Sequence, residues 1–223
     1  MLFVGALALE GLEPALASGA DLVCIDLEDP VPAGRKKEAR AALVERARAI
    51  AAPAGVQLVA RVNALGGADG PQDLRTLLAE APALGALMLP MVTGAEEVRR
   101  AGDAADAAAS GIDLYAIIET PDGLENCVAI ARSHPRLRAL FFGGFDLSAA
   151  LGCAMEWEPL LYARSRVVHA AAAGRIACCD SPYPGVADMD GLRDACAKAK
   201  SLGMRGKAAK HASHVATINT AFA

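Results

Sequence analysis

Four stretches of the chain finish an apolar run in ionisable or amide groups: Asp26-Leu27-Glu28-Asp29, Arg61-Val62-Asn63, Glu119-Thr120 and Gly143-Gly144-Phe145-Asp146. Such groups are too costly to bury unpaired, so each run must deliver them to a surface or a cavity. Glu119 closes Tyr115-Ala116-Ile117-Ile118, and Asp146 closes Leu140 to Phe145. A pair of carboxylates with no neighbouring His or Cys describes a hard oxygen site, suited to Mg²⁺ or Mn²⁺ as cofactor. Either acid alone reads equally well as a helix cap or a surface ion-pair partner. Gly143 and Gly144 read as a close-approach turn beside the metal and its substrate, although a lone glycine pair is common in loops. Arg61 brings a fixed fork of donors for a substrate carboxylate or a developing oxyanion. Its alternative is a rim ion pair with Glu28 or Asp29. Those two acids are candidates to orient Arg61, hold metal waters or relay protons. Lys207 and His211 lie near the last predicted strand and are weaker candidates, while His134 and His169 read as surface or helix positions.

Parallel strands would bring these groups together. Short β-like runs are predicted at Leu2–Gly5, Asp21–Asp26, Gln57–Asn63, Ala86–Met91, Leu114–Glu119, Leu140–Asp146, Ile176–Asp180 and Gly206–His211. Several are continuously apolar, as expected for parallel strands covered on both faces. Helical patterns alternate with them at Arg35–Ala51, Pro71–Glu80, Ala95–Ala108, Gly123–Ser133, Pro159–Ala173 and Met189–Leu202. In Arg35–Ala51, residues Ala39, Leu43, Ala47 and Ile50 share one face. Alternation of this kind predicts βαβ units and a closed (β/α)8 TIM barrel in one domain spanning residues 1–223, with an open doubly wound sheet as the alternative. In such a barrel all C-terminal strand ends lie on one rim. Five carboxylates and Arg61 would then crowd that rim, and a divalent cation would relieve much of the repulsion.

Composition bounds the partners. With 54% hydrophobic and 22% charged residues over 223 positions, the chain reads as globular with ample core material. Aromatic residues are only 4% and net charge is −4, which argues against nucleic acid, since a basic face and stacking platforms are lacking. No segment approaches the ~18 unbroken apolar residues of a membrane span, and Met1–Leu9 lacks a basic leader, so a cytoplasmic address is expected. The six cysteines show no paired C-x-x-C zinc spacing and read as reduced core residues.

In order and spacing the chain resembles the citrate lyase β-subunit-like branch of the HpcH/HpaI aldolase superfamily. The matching pieces are Gly19 to Asp29, Lys36, Ala39-Arg40, Arg61-Val62-Asn63, Leu89-Pro90, Ile118-Glu119-Thr120 with Gly123, Gly143 to Gly152, and Gly203 to Lys207 with His211. Asp-Leu-Glu-Asp with its downstream lysine is the most specific of them. The resemblance implies a barrel that assembles as homo-oligomers, trimers or higher, and Mg²⁺ held at Glu119 and Asp146. It implies making or breaking a C–C bond in a 3-hydroxyacyl-CoA such as citryl-, malyl- or citramalyl-CoA, with a 2-oxo acid and an acyl-CoA as the other side of the reaction. Lys36 would then face a CoA phosphate, or stand as a solvated helix lysine. Two departures stand out: His211-Ala212-Ser213-His214 replaces the family's His-Pro-x-Gln, and the chain stops at Ala223, before the C-terminal extension of many relatives. Two other readings remain open: an aldolase acting on free 2-oxo acids, and a non-catalytic accessory subunit.

Overall fold

A computed structural model describes residues Met1–Ala223. Eight strands form one sheet in sequence order: β1 (Leu2–Gly5), β2 (Leu22–Asp26), β3 (Gln57–Arg61), β4 (Ala86–Leu89), β5 (Asp113–Ile118), β6 (Leu137–Phe142), β7 (Ala177–Asp180) and β8 (Gly206–Lys207). Every neighbouring pair is parallel. The sheet closes on itself just past β8, where Phe3 N–H donates to the Ala209 carbonyl at 3.0 Å and Ala209 N–H to that of Met1 at 2.8 Å. The (β/α)8 barrel expected from alternation is therefore present. Its helices are α1 (Leu12–Leu16), α2 (Lys36–Ala49), α3 (Gly70–Glu80), α4 (Ala95–Ala107), α5 (Pro121–Glu125), α6 (Cys127–Ala131), α7 (Gly144–Leu151), α8 (Trp157–Gly174), α9 (Met189–Leu202) and α10 (Val215–Phe222). None is long and apolar enough to cross a membrane.

Alternation along the strands divides the core in two. Val23 and Ile25, Leu58 and Ala60, and Leu114, Ala116 and Ile118 pack outward against the helices. Cys24, Val59, Met88, Tyr115, Ile117 and Phe141 fill the barrel interior. Because the side-chain period is two, the inward set continues at the C-terminal ends as Asp26, Arg61, Glu119 and Gly143. The helices cover apolar strand faces with small residues: Ala39 and Ala47 of α2, Ala101 and Ala105 of α4, and Ala170 and Ala171 of α8 are all buried. Alanine lets helix and sheet approach closely at no side-chain entropy cost. All six cysteines are free, and four of them are buried.

Three sequence expectations are corrected. The sixth strand ends at Phe142, and Asp146 lies in the first turn of α7 instead of at a strand end. Gly143-Gly144 breaks the strand, and a carboxylate in a first helical turn is favoured by the exposed N–H groups there. Residues Gly123–Ser133 make α5 and α6, parted at Asn126, whose side chain donates to the Thr93 carbonyl at 2.8 Å. The last strand is only Gly206–Lys207, supplemented by the bridge at Ala209.

A buried ion pair fastens the loop that follows β3. Asp73 of α3 is fully buried and takes Arg40 Nε of α2 at 2.5 Å. Its other oxygen accepts from the backbone and side-chain nitrogens of Asn63 at 2.9 and 2.6 Å. Arg40 Nη2 also pairs with the half-exposed Asp69 at 3.1 Å, so removing Asp73 leaves a buried guanidinium with only that partner and two Asn63 donors unanswered. Asp73→Ala is therefore expected to lower unfolding stability by about 3–5 kcal/mol, read as a shift of the urea midpoint. A loss under about 1 kcal/mol would mean that solvent reaches Arg40 and the pair carries little.

Candidate active site

The inward groups at the strand ends line a cavity of about 350 Å³ on the C-terminal rim. Its floor is the apolar interior, with Phe3, Ile117 and Phe141 uppermost, and its walls carry Asp26, Asp29, Arg61, Glu119 and Asp146. Asp26 and Arg61 are register partners on β2 and β3, so their pairing follows from the sheet itself. Arg61 donates from Nε and Nη2 to the two Asp26 oxygens at 2.8 and 2.5 Å, a bidentate contact. Nη2 also reaches Asp29 at 2.8 Å, and Nη1 pairs with Glu28 at 2.8 Å. One Nη1 hydrogen is left for a ligand. Burial works against the guanidinium charge, but Asp26 first, then Glu28 and Asp29, outweigh it and raise the Arg61 pKa. The expected neighbourhood of Arg61 with Glu28 and Asp29 is present, and Asp26, which sequence reasoning left without a role, is its strongest partner.

Glu119 is held by backbone from three sides. Thr120 caps α5 by accepting from Gly123 N–H at 2.9 Å, and Pro121 starts the helix. A Cβ on Gly123 would lie 2.2 Å from the Val92 carbonyl, so only glycine lets α5 approach the segment after β4 this closely. From that segment Met91 N–H donates to Glu119 Oε1 at 2.7 Å. Met91 does so with φ at 53°, a conformation that costs a non-glycine residue roughly 1–2 kcal/mol. On the other side, a Cβ on Gly143 would sit 2.6 Å from Glu119 Oε2 and 2.3 Å from its Cβ. Gly143 is thus the inward position just past β6 left empty for the Glu119 carboxylate. Gly144 faces Met155 and Phe142, each 3.0 Å from the position its Cβ would take. The close approach expected of Gly143 is present, against Glu119; Met91 carries no sign of its role in the sequence.

No cation contacts Glu119 directly. Burial pushes its pKa up, opposed by the Met91 N–H; the charges of Asp146 and Glu28 add to the rise, and the more distant Arg61 works against it. Glu28 is pushed up to about 7, by burial first, with Arg61 opposing and Asp29, Asp26 and Asp146 reinforcing. The Asp146 carboxylate is exposed and faces the same cavity. The chemistry of this donor set fits a hard divalent ion: oxygen ligands only, one of them buried and without a counter-charge, with room for further oxygens. No three His, Cys, Asp or Glu side chains are placed to hold one ion together, and Mg²⁺ sites commonly use one or two carboxylates plus water and substrate.

Lys36 starts α2 and turns inward: its ammonium donates to the Leu27 and Glu28 carbonyls at 2.9 and 2.7 Å. It pins the acidic loop and keeps one N–H for a ligand. It borders a second opening of about 470 Å³ beside the first, between the loops after β2 and β3. Lys207, a weaker candidate in the sequence, belongs to a buried group behind the far wall, Arg164–Asp180–Lys207. Arg164, a charged residue inside the apolar face of α8, and Asp180 have no role in the sequence reading.

A model of the HpcH/HpaI aldolase/citrate lyase family matches residues 1–212, and the chain belongs to that family. It is 29% identical over 218 residues to the mitochondrial citramalyl-CoA lyase of Mus musculus, covering 91% of this chain and 64% of the mouse protein. The chain thus spans somewhat under two thirds of that relative's length. Among solved structures, RipC from Yersinia pestis superposes with a TM-score of 0.87 at 33% identity, over 100% of this chain and 93% of that one. CitE from Mycobacterium tuberculosis in complex with magnesium, acetoacetate and coenzyme A superposes with a TM-score of 0.83 at 28% identity, over 99% and 79%.

The raised carboxylates fix the sign of a pH dependence. Their folded-state pKa values lie above the ordinary 4.5, so the folded chain holds protons that the unfolded chain has lost. Their contribution to stability is complete below pH 4.5 and lost as pH rises through about 7 for Glu28 and about 8 for Glu119. The metal-free protein should therefore melt at a lower temperature at pH 8 than at pH 6, and Glu119→Gln should flatten that decline. An identical slope in wild type and variant would mean Glu119 is well solvated.

Proposed function

We propose that the chain is a Mg²⁺-dependent carbon–carbon lyase that cleaves or forms a 3-hydroxyacyl-CoA ester, such as citryl-, malyl- or citramalyl-CoA, with a 2-oxo acid and an acyl-CoA on the other side of the reaction. The carrying observation is the convergence of Glu119 and Asp146 with Arg61 on one cavity whose floor is apolar. Family membership and the magnesium and coenzyme A bound to the M. tuberculosis relative support the same reading.

In this proposal Glu119 and Asp146 are the metal ligands. Mg²⁺ bound there would act as Lewis acid and template for the carboxylate and hydroxyl oxygens of the substrate. The remaining Nη1 hydrogen of Arg61 is directed to oxygen that gains charge as the C–C bond breaks. Glu28 and Asp29 keep that guanidinium oriented and stand at the rim as proton-handling groups. Gly143 lines the cavity and gives its inward position to the Glu119 carboxylate, not to substrate, and Gly144 packs against Met155 and Phe142. Phe3, Ile117 and Phe141 keep water from below the reacting atoms, where unscreened charges interact most strongly. Lys36 holds the loop that carries Glu28, and the opening beside it has room for the longer arm of a thioester. We further propose one domain over residues 1–223, a cytoplasmic address and a homo-oligomer, most simply a trimer, with each site near a subunit boundary. Light scattering at micromolar concentration tests the assembly; a strict monomer with full activity would remove the boundary from the account.

Purified protein with Mg²⁺ should release a 2-oxo acid from an acyl-CoA substrate and lose that activity in chelator. Arg61→Lys should lower kcat/KM on the order of 100-fold, because lysine keeps the charge but not the fork. Near-normal turnover in that variant would make Arg61 purely structural. Cleavage of free 4-hydroxy-2-oxo acids with inert CoA esters would favour the aldolase reading instead, and inactivity on both would favour the accessory subunit.

A further inference from the structure

The ends of β7 and β8 carry a charged group that the cavity inside the barrel does not use. Asp180 and Lys207 are register partners. Asp180 Oδ2 accepts from Lys207 Nζ at 2.5 Å and Oδ1 from Arg164 Nε at 3.2 Å. The three side chains are at most 6% exposed. Two buried cations thus share one carboxylate, and the cluster keeps one uncompensated positive charge. The Arg164 guanidinium lies between the rings of Phe142 and Trp157, 4.6 and 4.8 Å from their centroids. Its Nη1 reaches the Glu156 carbonyl only at 3.5 Å, and Nη2 has no partner within the protein. Lys207 Nζ uses one of its donors, on Asp180. Beside them Ser181 Oγ is buried with no hydrogen-bond partner. A cavity of about 340 Å³, bounded by Trp157, Arg164, Ser181, Lys198 and Lys207, opens onto this group.

We propose that this pocket binds a small oxyanion, a carboxylate or inorganic phosphate, through Arg164, Lys207 and Ser181 Oγ. A buried excess charge and unused donors are both costly, and one anionic head with several acceptor oxygens satisfies them together. The free edge of a stacked guanidinium suits such a head. Ligand size is bounded by the mouth, where Glu156, Glu158 and Asp194 are exposed and Lys198 is paired with Asp194 at 2.8 Å. An extended polyanion would meet those acids, whereas a single head passes to the floor. The site is distinct from the metal pair, although Asp180, Ser181 and Pro182 form a wall common to both cavities.

Trp157 is the only tryptophan in the chain, so its emission reports on this pocket. The full chain, free of divalent metal, is titrated with sodium phosphate and separately with sodium acetate, at ionic strength held constant with sodium chloride. Thermal melting in the same buffers is the second readout, should the indole be silent. A saturable response is expected in at least one arm, and the arm that saturates identifies the head group. Ser181→Ala should weaken it about fivefold without lowering the melting temperature of the unliganded protein. Arg164→Lys should weaken it by about tenfold or more; if that variant does not fold, Ser181→Ala decides. Responses no different from chloride in both arms and both readouts would overturn the proposal, as would saturable binding that Ser181→Ala leaves unchanged.

Discussion

Like charge gathered on one rim of a closed barrel is the constraint from which the rest of the site follows. Asp26, Glu28, Asp29, Glu119 and Asp146 come from three separate stretches of chain and meet because parallel strands put every C-terminal end on the same side. Arg61 neutralises one part of this set, with Asp26, Glu28 and Asp29 around it. Glu119 and Asp146 lie outside its reach of direct contact. The half that Arg61 does not serve is the half suited to a divalent ion, and the two cations would stand side by side over an apolar floor.

Backbone, more than side chains, gives Glu119 its place. Gly123 permits the close approach of α5 to the segment after β4, Met91 turns its N–H inward at the expense of a left-handed conformation, and Gly143 leaves the neighbouring inward position empty. Strain of this kind persists only where surrounding structure over-determines it, and it concentrates at functional sites. Small movements of Met91 or Gly143 would therefore be felt directly at the carboxylate, which links local backbone geometry to metal affinity.

Much of this was legible in the sequence, for a physical reason. Continuous apolar runs ending in charge, as at Leu22–Asp26 and Gln57–Arg61, state both a buried parallel strand and the direction of its functional end. The limits of that reading are equally physical. Leu140 to Asp146 looks like one strand because Phe145 continues the apolar run, and only the two adjacent glycines signal the turn into α7. Lys36 reads as a contact to a CoA phosphate or as a solvated helix lysine, and neither reading contains the two loop carbonyls its ammonium serves, a contact fixed by how α2 packs. The Arg164–Asp180–Lys207 group joins residues from α8, β7 and β8 whose meeting depends on helix placement over the sheet, which no local pattern encodes.

The central claim is that Glu119 and Asp146 together form one divalent-cation site. Mn²⁺ binding to the purified chain, followed by electron paramagnetic resonance of the free ion, tests it directly. The account predicts one tight site per chain, competed by Mg²⁺, weakened severely by Glu119→Gln and by Asp146→Asn, and left in place by Ser181→Ala. Tight stoichiometric binding that survives both carboxylate substitutions would contradict it.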